Sequence, residues 1–152
     1  MKFEIPRPLK SEHEELHAML VRATREDGAL GAAARAVARL MEAHFAKEEQ
    51  FALPPISLLP RLAAGEVTSD MEEILVLSDR LRNKLGEMLD DHKQIVKALE
   101  VLLAEARAQN KVEYVEFAHQ LMRHAQTEEL VMYPAAILAG RYIRIKLGIT
   151  ES

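Results

Sequence analysis

Two stretches of this 152-residue chain carry the same chemistry-bearing residues at the same offsets. One is His44-Phe-Ala-Lys-Glu48-Glu49, running on to Pro54. The other is His124-Ala-Gln-Thr-Glu128-Glu129, running on to Pro134. In each, the histidine and the first glutamate stand four residues apart, so on an α-helix both side chains leave from one face. An imidazole nitrogen and a carboxylate oxygen side by side can chelate a metal cation, and the duplication supplies a matched pair of such faces.

The apolar residues around them define the helices that would hold them. Leu9, His13, Leu16 and Leu20 follow helical spacing, with Ser11 and Glu14 placed for an N-terminal capping box, and this first helix is expected to end near Asp27-Gly28. Val37, Leu40, His44, Glu48 and Phe51 mark a second helix that Pro54-Pro55 should stop. Residues 52–68, with their prolines and Gly65, read as a crossing connector. Helical pattern resumes from Ser69, and Leu81, Leu85, Met88, His92, Ile95, Leu99, Leu102 and Ala106 form the stripe of a long third helix. A break is expected near Gly86, and Ile74-Leu75-Val76-Leu77, apolar all round, reads as a separate turn. Tyr114, Phe117, Leu121, His124, Glu128 and Val131 mark a fourth helix ending at Pro134. The tail from Ala135 to Gly148 is expected to form a capping helix, with a basic amphipathic membrane anchor as the weaker reading of Arg141, Arg144 and Lys146.

The expected fold is all-α: an up-down-up-down four-helix bundle with a short C-terminal helix. Residues 1–152 would form one domain, with the bundle over about 9–134 and the cap over 135–148. The bundle is two similar helical hairpins. A pseudo-twofold operation would carry His13 onto His92, and His44 with Glu48 onto His124 with Glu128. Counting helical rise from each turn sets His13 level with His44, and His92 level with His124.

His13, His44, Glu48, His92, His124 and Glu128 all fall where the stripes predict core. Buried carboxylates without partners cost several kcal/mol, so two of them call for a cation. Four imidazoles and two carboxylates exceed one tetrahedral zinc and suit two five- or six-coordinate ions. The simplest arrangement is two iron ions bridged by both glutamates and an oxo or hydroxo oxygen, other divalent metals being alternatives. Positions left open would take O2, NO or peroxide. Glu49 and Glu129 read as solvated or as touching a ligand residue, His17 as packing or supporting His13, and His119 as surface. Glu14-x-x-His17 and Glu116-x-x-His119 also match the spacing of ferritin-like di-iron bundles. The second of these faces away from the core stripe, which sets that reading aside.

Composition narrows the alternatives. With no cysteine, disulfides, thiolate zinc sites and cysteine-ligated clusters are excluded. A net charge of -4 with interspersed signs gives no basis for nucleic-acid binding. No stretch approaches the roughly 20 apolar residues of a membrane span, and Met1 to Lys10 lacks a signal-peptide run, so a cytoplasmic location is expected.

On these residues the chain resembles hemerythrin-like, or HHE cation-binding, domains from about Leu9 to Pro134. Their recurring pattern is His on helix one, His-x3-Glu on helix two, His on helix three, and His-x3-Glu or His-x4-Asp on helix four. The resemblance implies the di-iron set named above and binding of a small diatomic ligand or peroxide, rather than a conventional enzyme. Oxygen-carrying members have a second histidine on helix three, where this chain has Val96 on one side of His92 and Met88 on the other. The closer likeness is to the four-His, two-Glu subgroup that includes bacterial di-iron proteins implicated in repairing iron centres under nitrosative or oxidative stress. Their cysteine-bearing N-terminal module has no counterpart here. The alternatives are an iron reservoir or sensor that signals to a partner without turnover, and a metal-free interaction bundle. Oligomeric state and protein partners stay open.

Overall fold

A computed structural model describes residues 3–150; Met1, Lys2, Glu151 and Ser152, the ends of the 1–152 span, lie outside the described residues. Six α-helices carry the architecture: α1 Arg7–Thr24, α2 Gly28–Lys47, the short α3 Leu59–Ala63, α4 Glu72–Ala108, α5 Val112–Thr127 and α6 Tyr133–Leu147. There is no strand among the described residues. α1 packs on α2, α2 on α4, α4 on α5, and α5 back on α1, which closes an up-down-up-down four-helix bundle.

Most of the predicted stripe residues become its core, whereas Val131, on the π-helical turn Glu128–Met132, is 59% exposed. Leu16, Leu20, Leu30, Val37, Met41, Ile95, Leu99, Leu102, Tyr114, Phe117 and Leu121 are buried together between the four long helices. Each such leucine contributes about 1.5–3 kcal/mol by leaving water. A second cluster joins Phe51, Ala52, Leu81, Met88, Tyr133 and Ala136. Along the chain, His44, His92 and His124 each fall between residues of these two clusters. A third cluster, with Leu58, Leu62, Ile74, Leu75, Ala139 and Ile143, packs α6 and the connector onto the first turns of α4.

Several boundaries differ from expectation for identifiable reasons. α1 starts a turn early at Arg7, with Pro8 in the first turn where its missing N–H costs nothing; Ser11 is therefore an exposed helical residue and caps nothing. α4 runs unbroken through Gly86, whose side faces open space. The roughly 1 kcal/mol helix penalty of one glycine is outweighed by packing at Leu81 and Met88 on either side. Ile74 to Leu77 are part of α4; Ile74 and Leu75 are buried by α6 and the connector, and Val76 is exposed.

Pro134 does not end the fourth helical run. α5 passes through a π-helical turn, Glu128–Met132, into α6, where Pro134 occupies the first turn. The matching turn after α2, Glu48–Ala52, is also π-helical, with Leu53 N–H donating to Glu48 C=O at 2.9 Å. Both wide turns open on the glutamate of a His-x3-Glu pair, in keeping with the concentration of π turns at functional sites. α6 lies along α4 rather than across the bundle end. Gly140 permits the approach: a Cβ there would stand 2.0 Å from Ser78 Oγ. Arg144, counted above among possible membrane-facing charges, is buried and pairs with Asp79 at 2.6 Å. Among the described residues no helix is long and apolar enough to cross a membrane.

Candidate metal centre

All four long helices aim polar side chains at one point inside the bundle. α1 supplies His13, α2 His44, α4 His92 and α5 His124, while Glu48 and Glu128 come from the first residues of the π turns. The six are between 0% and 5% exposed. They fall into two overlapping groups, His13, His124, Glu48 and Glu128, and His44, His92, Glu48 and Glu128, each with donor atoms within 4.8 Å of one another.

The pairing of histidines departs from the sequence reading. Levels counted along the helices matched His13 with His44 and His92 with His124, each within one hairpin. In the structure the pairs cross between hairpins. His44 Nε2 lies 2.9 Å from His92 Nε2, and the rings of His13 and His124 are 5.2 Å apart. Rise along an axis fixes height but not which way round the bundle a side chain turns, and the closed ring of helices sets α1 beside α5 as well as α2.

The glutamates span both groups. Glu48 directs Oε1 to His44 Nε2 at 2.6 Å and Oε2 to His13 Nε2 at 3.3 Å. Glu128 directs Oε1 to His92 Nε2 at 3.2 Å and Oε2 to His124 Nε2 at 3.3 Å. Each carboxylate thus offers one oxygen to each subsite.

A layer of outer carboxylates orients the imidazoles. Asp91 Oδ2 meets His44 Nδ1 at 3.0 Å, Glu129 Oε1 meets His92 Nδ1 at 2.9 Å, and Glu12 Oε1 meets His124 Nδ1 at 2.6 Å. Such partners accept the Nδ1 proton and leave Nε2 with its lone pair facing inward. Glu49, the repeat counterpart of Glu129, stays 3.8 Å from His13 Nδ1, and Phe45 stacks on the His13 ring at 4.2 Å. Lys47 Nζ donates to Asp91 at 2.8 Å and holds that carboxylate in place.

The charge balance is unusual without a cation. Burial works against a charged His13, yet its contacts with Glu128 and Glu48 push it up to about 10. His44 and His124 are raised in the same way, against burial, chiefly by Glu48 and Glu128 respectively. Burial, then the neighbouring Glu128 charge, hold Glu48 above the ordinary carboxyl range. Burial opposes ionisation of Glu128 too, but contacts with Glu48 and three histidines hold it well below that range. Tyr133 is fully buried, its hydroxyl 3.1 Å from His44 Nε2 and 3.3 Å from His92 Nε2. Burial, then the Glu48 and Glu128 charges, raise it strongly.

The model of the hemerythrin HHE cation-binding domain matches residues 5–136. The chain belongs to the hemerythrin HHE cation-binding family. No curated protein and no solved structure shows a significant match to it.

An HHE-family metal fits these residues on chemical grounds. His13 Nδ1 and Nε2, both oxygens of Glu48, His124 Nε2 and Glu128 Oε2 are buried without a well-formed hydrogen bond. Orphaned buried polar atoms are rare in folded proteins, and here five of the six gather at Glu48 and Glu128. Nitrogen and oxygen donors of this kind suit a transition-metal cation.

The ferritin-like alternative does not assemble. Glu14, His17 and Glu116 are exposed, and none of them, nor His119, joins the cluster. His17 lines a surface cleft that reaches His13, together with Lys10, Phe45 and Glu49. Another cleft, with Val96 and Glu129 in its wall, reaches His92.

Sequence reasoning missed Tyr133 and Lys47. On a continuous α-helix a residue five positions after Glu128 would point about 140° away from it. The π turn, with its i to i+5 bonding, widens the helix and brings Tyr133 back round toward the histidines. The available signal was its place, immediately before the proline that both repeat copies share.

Proposed function

We propose that this HHE-family protein holds two iron ions, one at His13 and His124 and one at His44 and His92, with Glu48 and Glu128 bridging them. It would bind or react with O2, NO or peroxide in a sensing, stress-response or iron-handling role, as a single cytoplasmic domain. The observation that carries this reading is the way each buried glutamate divides its oxygens between two histidine pairs. A lone tetrahedral ion in either group would leave two imidazoles and two carboxylate oxygens unused. Bound iron supplies redox activity and exchangeable positions for a small ligand. The chain's own residues do the rest: the outer carboxylates fix the imidazoles, the bundle core limits water, and clefts run to His13 and His92.

Iron reconstitution tests it. Two iron per chain, near-ultraviolet absorption of an oxo-bridged ferric pair in air, and consumption of NO or peroxide are expected. Binding well below two per chain would exclude the di-iron form. Replacing His44 and His124 together by Ala should abolish tight iron binding; retained binding would leave only a bundle whose role is independent of these residues.

A reservoir or sensor reading gains support from one feature: both subsites draw residues from both hairpins, so occupancy is tied to the bundle's integrity. Metal-dependent stability without sustained turnover would favour it.

A further inference from the structure

The geometry points to Tyr133 as a protein ligand of the ion at the His44 and His92 subsite, a role that rests on the di-iron reading above. Three atoms form a near-equilateral triangle there. His44 Nε2 and His92 Nε2 are 2.9 Å apart, and the Tyr133 oxygen is 3.1 Å and 3.3 Å from them. Donors at right angles around an octahedral ion with bonds of about 2.1 Å lie about 3 Å from one another, so the triangle has the dimensions of one octahedral face.

One oxygen of each buried glutamate adds to the triangle, so five donor atoms converge there. Asp91 and Glu129 accept from the two Nδ1 atoms, which leaves each Nε2 as the nitrogen that a cation would bind on displacing its proton. Glu48 Oε1 also stands 2.6 Å from His44 Nε2 and Glu128 Oε1 3.2 Å from His92 Nε2, so protons held among these atoms in the metal-free chain occupy the place a cation would take. Tyr133 is fully buried, which leaves its hydroxyl no solvent to turn to, and its ring stacks on His92 with centroids 5.6 Å apart. A cation beside the triangle satisfies all three atoms. On coordination the O–H bond breaks, the proton is released to solvent, and the oxygen–metal bond forms.

The repeat makes this one-sided. Tyr133 stands nine residues after His124, and the residue nine after His44 is Leu53, which has no donor atom. The His44 and His92 subsite therefore has Tyr133 in addition to its histidines and glutamate oxygens, and the two ions are chemically inequivalent.

The test is optical and vibrational spectroscopy of iron-reconstituted, air-oxidised protein with the iron content measured. A visible phenolate-to-iron(III) band is expected in the wild-type chain. Its resonance Raman ring modes should shift when ring-deuterated tyrosine is incorporated. Tyr133→Phe should lose the visible band completely, counted per iron bound. Tyr114 cannot supply the band, since its hydroxyl donates to Glu26 at 3.1 Å away from the site, and Tyr142 packs in the α6 cluster. Two bound iron ions with no tyrosine-sensitive mode in the wild type, or an unchanged band in Tyr133→Phe, would overturn ligation by Tyr133 and leave the di-iron reading intact. A chain that never takes two iron ions would overturn both. The isotope measurement on the wild type decides the matter even where the variant fails to fold.

Discussion

Glu12 Oε1 lies 2.6 Å from His124 Nδ1, tying the residue before the first histidine of the chain to the last. This contact fixes the ring orientation and the tautomer in which Nε2 faces inward. Outer partners of this kind are typically worth 10–100-fold in metal affinity. Glu12→Ala should weaken metal binding at the His13 and His124 subsite by about that factor, measured by competition with a chelator. The Glu12 side chain is 40% exposed, so the fold should be retained, as circular dichroism would verify.

Crossed pairing of the histidines makes a stoichiometric prediction. His13→Ala and His44→Ala each remove a nitrogen from one subsite only, and each should lower tight binding from two metal ions per chain toward one. Glu48→Ala removes an oxygen from both and should impair both. Metal analysis after gel filtration distinguishes these patterns; His13→Ala and His44→Ala abolishing the same single binding event would contradict the pairing.

Stability should respond to pH in opposite senses with and without metal. In the metal-free chain His13 is raised from 6.5 to about 10, with His44 and His124 also raised. A raised histidine stabilises the fold fully below its unfolded value and loses that contribution as pH rises through the folded value. Glu128 is lowered, so its contribution is present above 4.5 and lost as pH falls through its folded value. The metal-free chain should therefore lose stability between about pH 6.5 and 10. Bound cations replace these protons, so the metal-loaded chain should hold through that range and lose its advantage in acid. Thermal unfolding of both forms at pH 6 and pH 8.5 checks this: the metal-induced rise in Tm should be larger at the higher pH.

The sequence made some of this legible and hid the rest for physical reasons. Stripes through His13, His92 and the two His-x3-Glu pairs identify a face of each helix, because α-helical periodicity is regular there. It becomes irregular after Glu48 and Glu128. Both π turns break the 100° step, so the burial of Phe51 was readable while the inward turn of Tyr133 was not. Pro134 illustrates the same ambiguity, since a proline can end one helix or open the next. Which histidines meet depends on the closed order of helices, a property of packing that periodicity does not contain. Glu12 and Asp91 each immediately precede the first ligand histidine of their hairpin, and their reach to histidines on other helices follows only from that packing.

The contact of α6 with α4 makes a prediction remote from the metal centre. A Cβ at Gly140 would lie 2.0 Å from Ser78 Oγ and 2.5 Å from its Cβ. Gly140→Ala should destabilise the chain by about 1–3 kcal/mol, read as a lower denaturant midpoint, because the helices must separate. Adding Ser78→Ala should restore only part of the loss, since the Ser78 Cβ stays in the way. Metal stoichiometry should be unchanged in both.

The two hairpins share the metal centre in a way that neither can reproduce alone. α1 with α2, and α4 with α5, each hold half of both subsites and the whole of neither. The connector turn at residues 64–66 is exposed, with Gly65 at φ +82, and offers a place to sever the backbone. Cut there, the protein becomes two polypeptides that metal clasps together. The shared apolar core should hold the two pieces together weakly and the ions tightly, so their dissociation constant should rise when a chelator strips the metal, and the centre acts as a reversible cross-link between them.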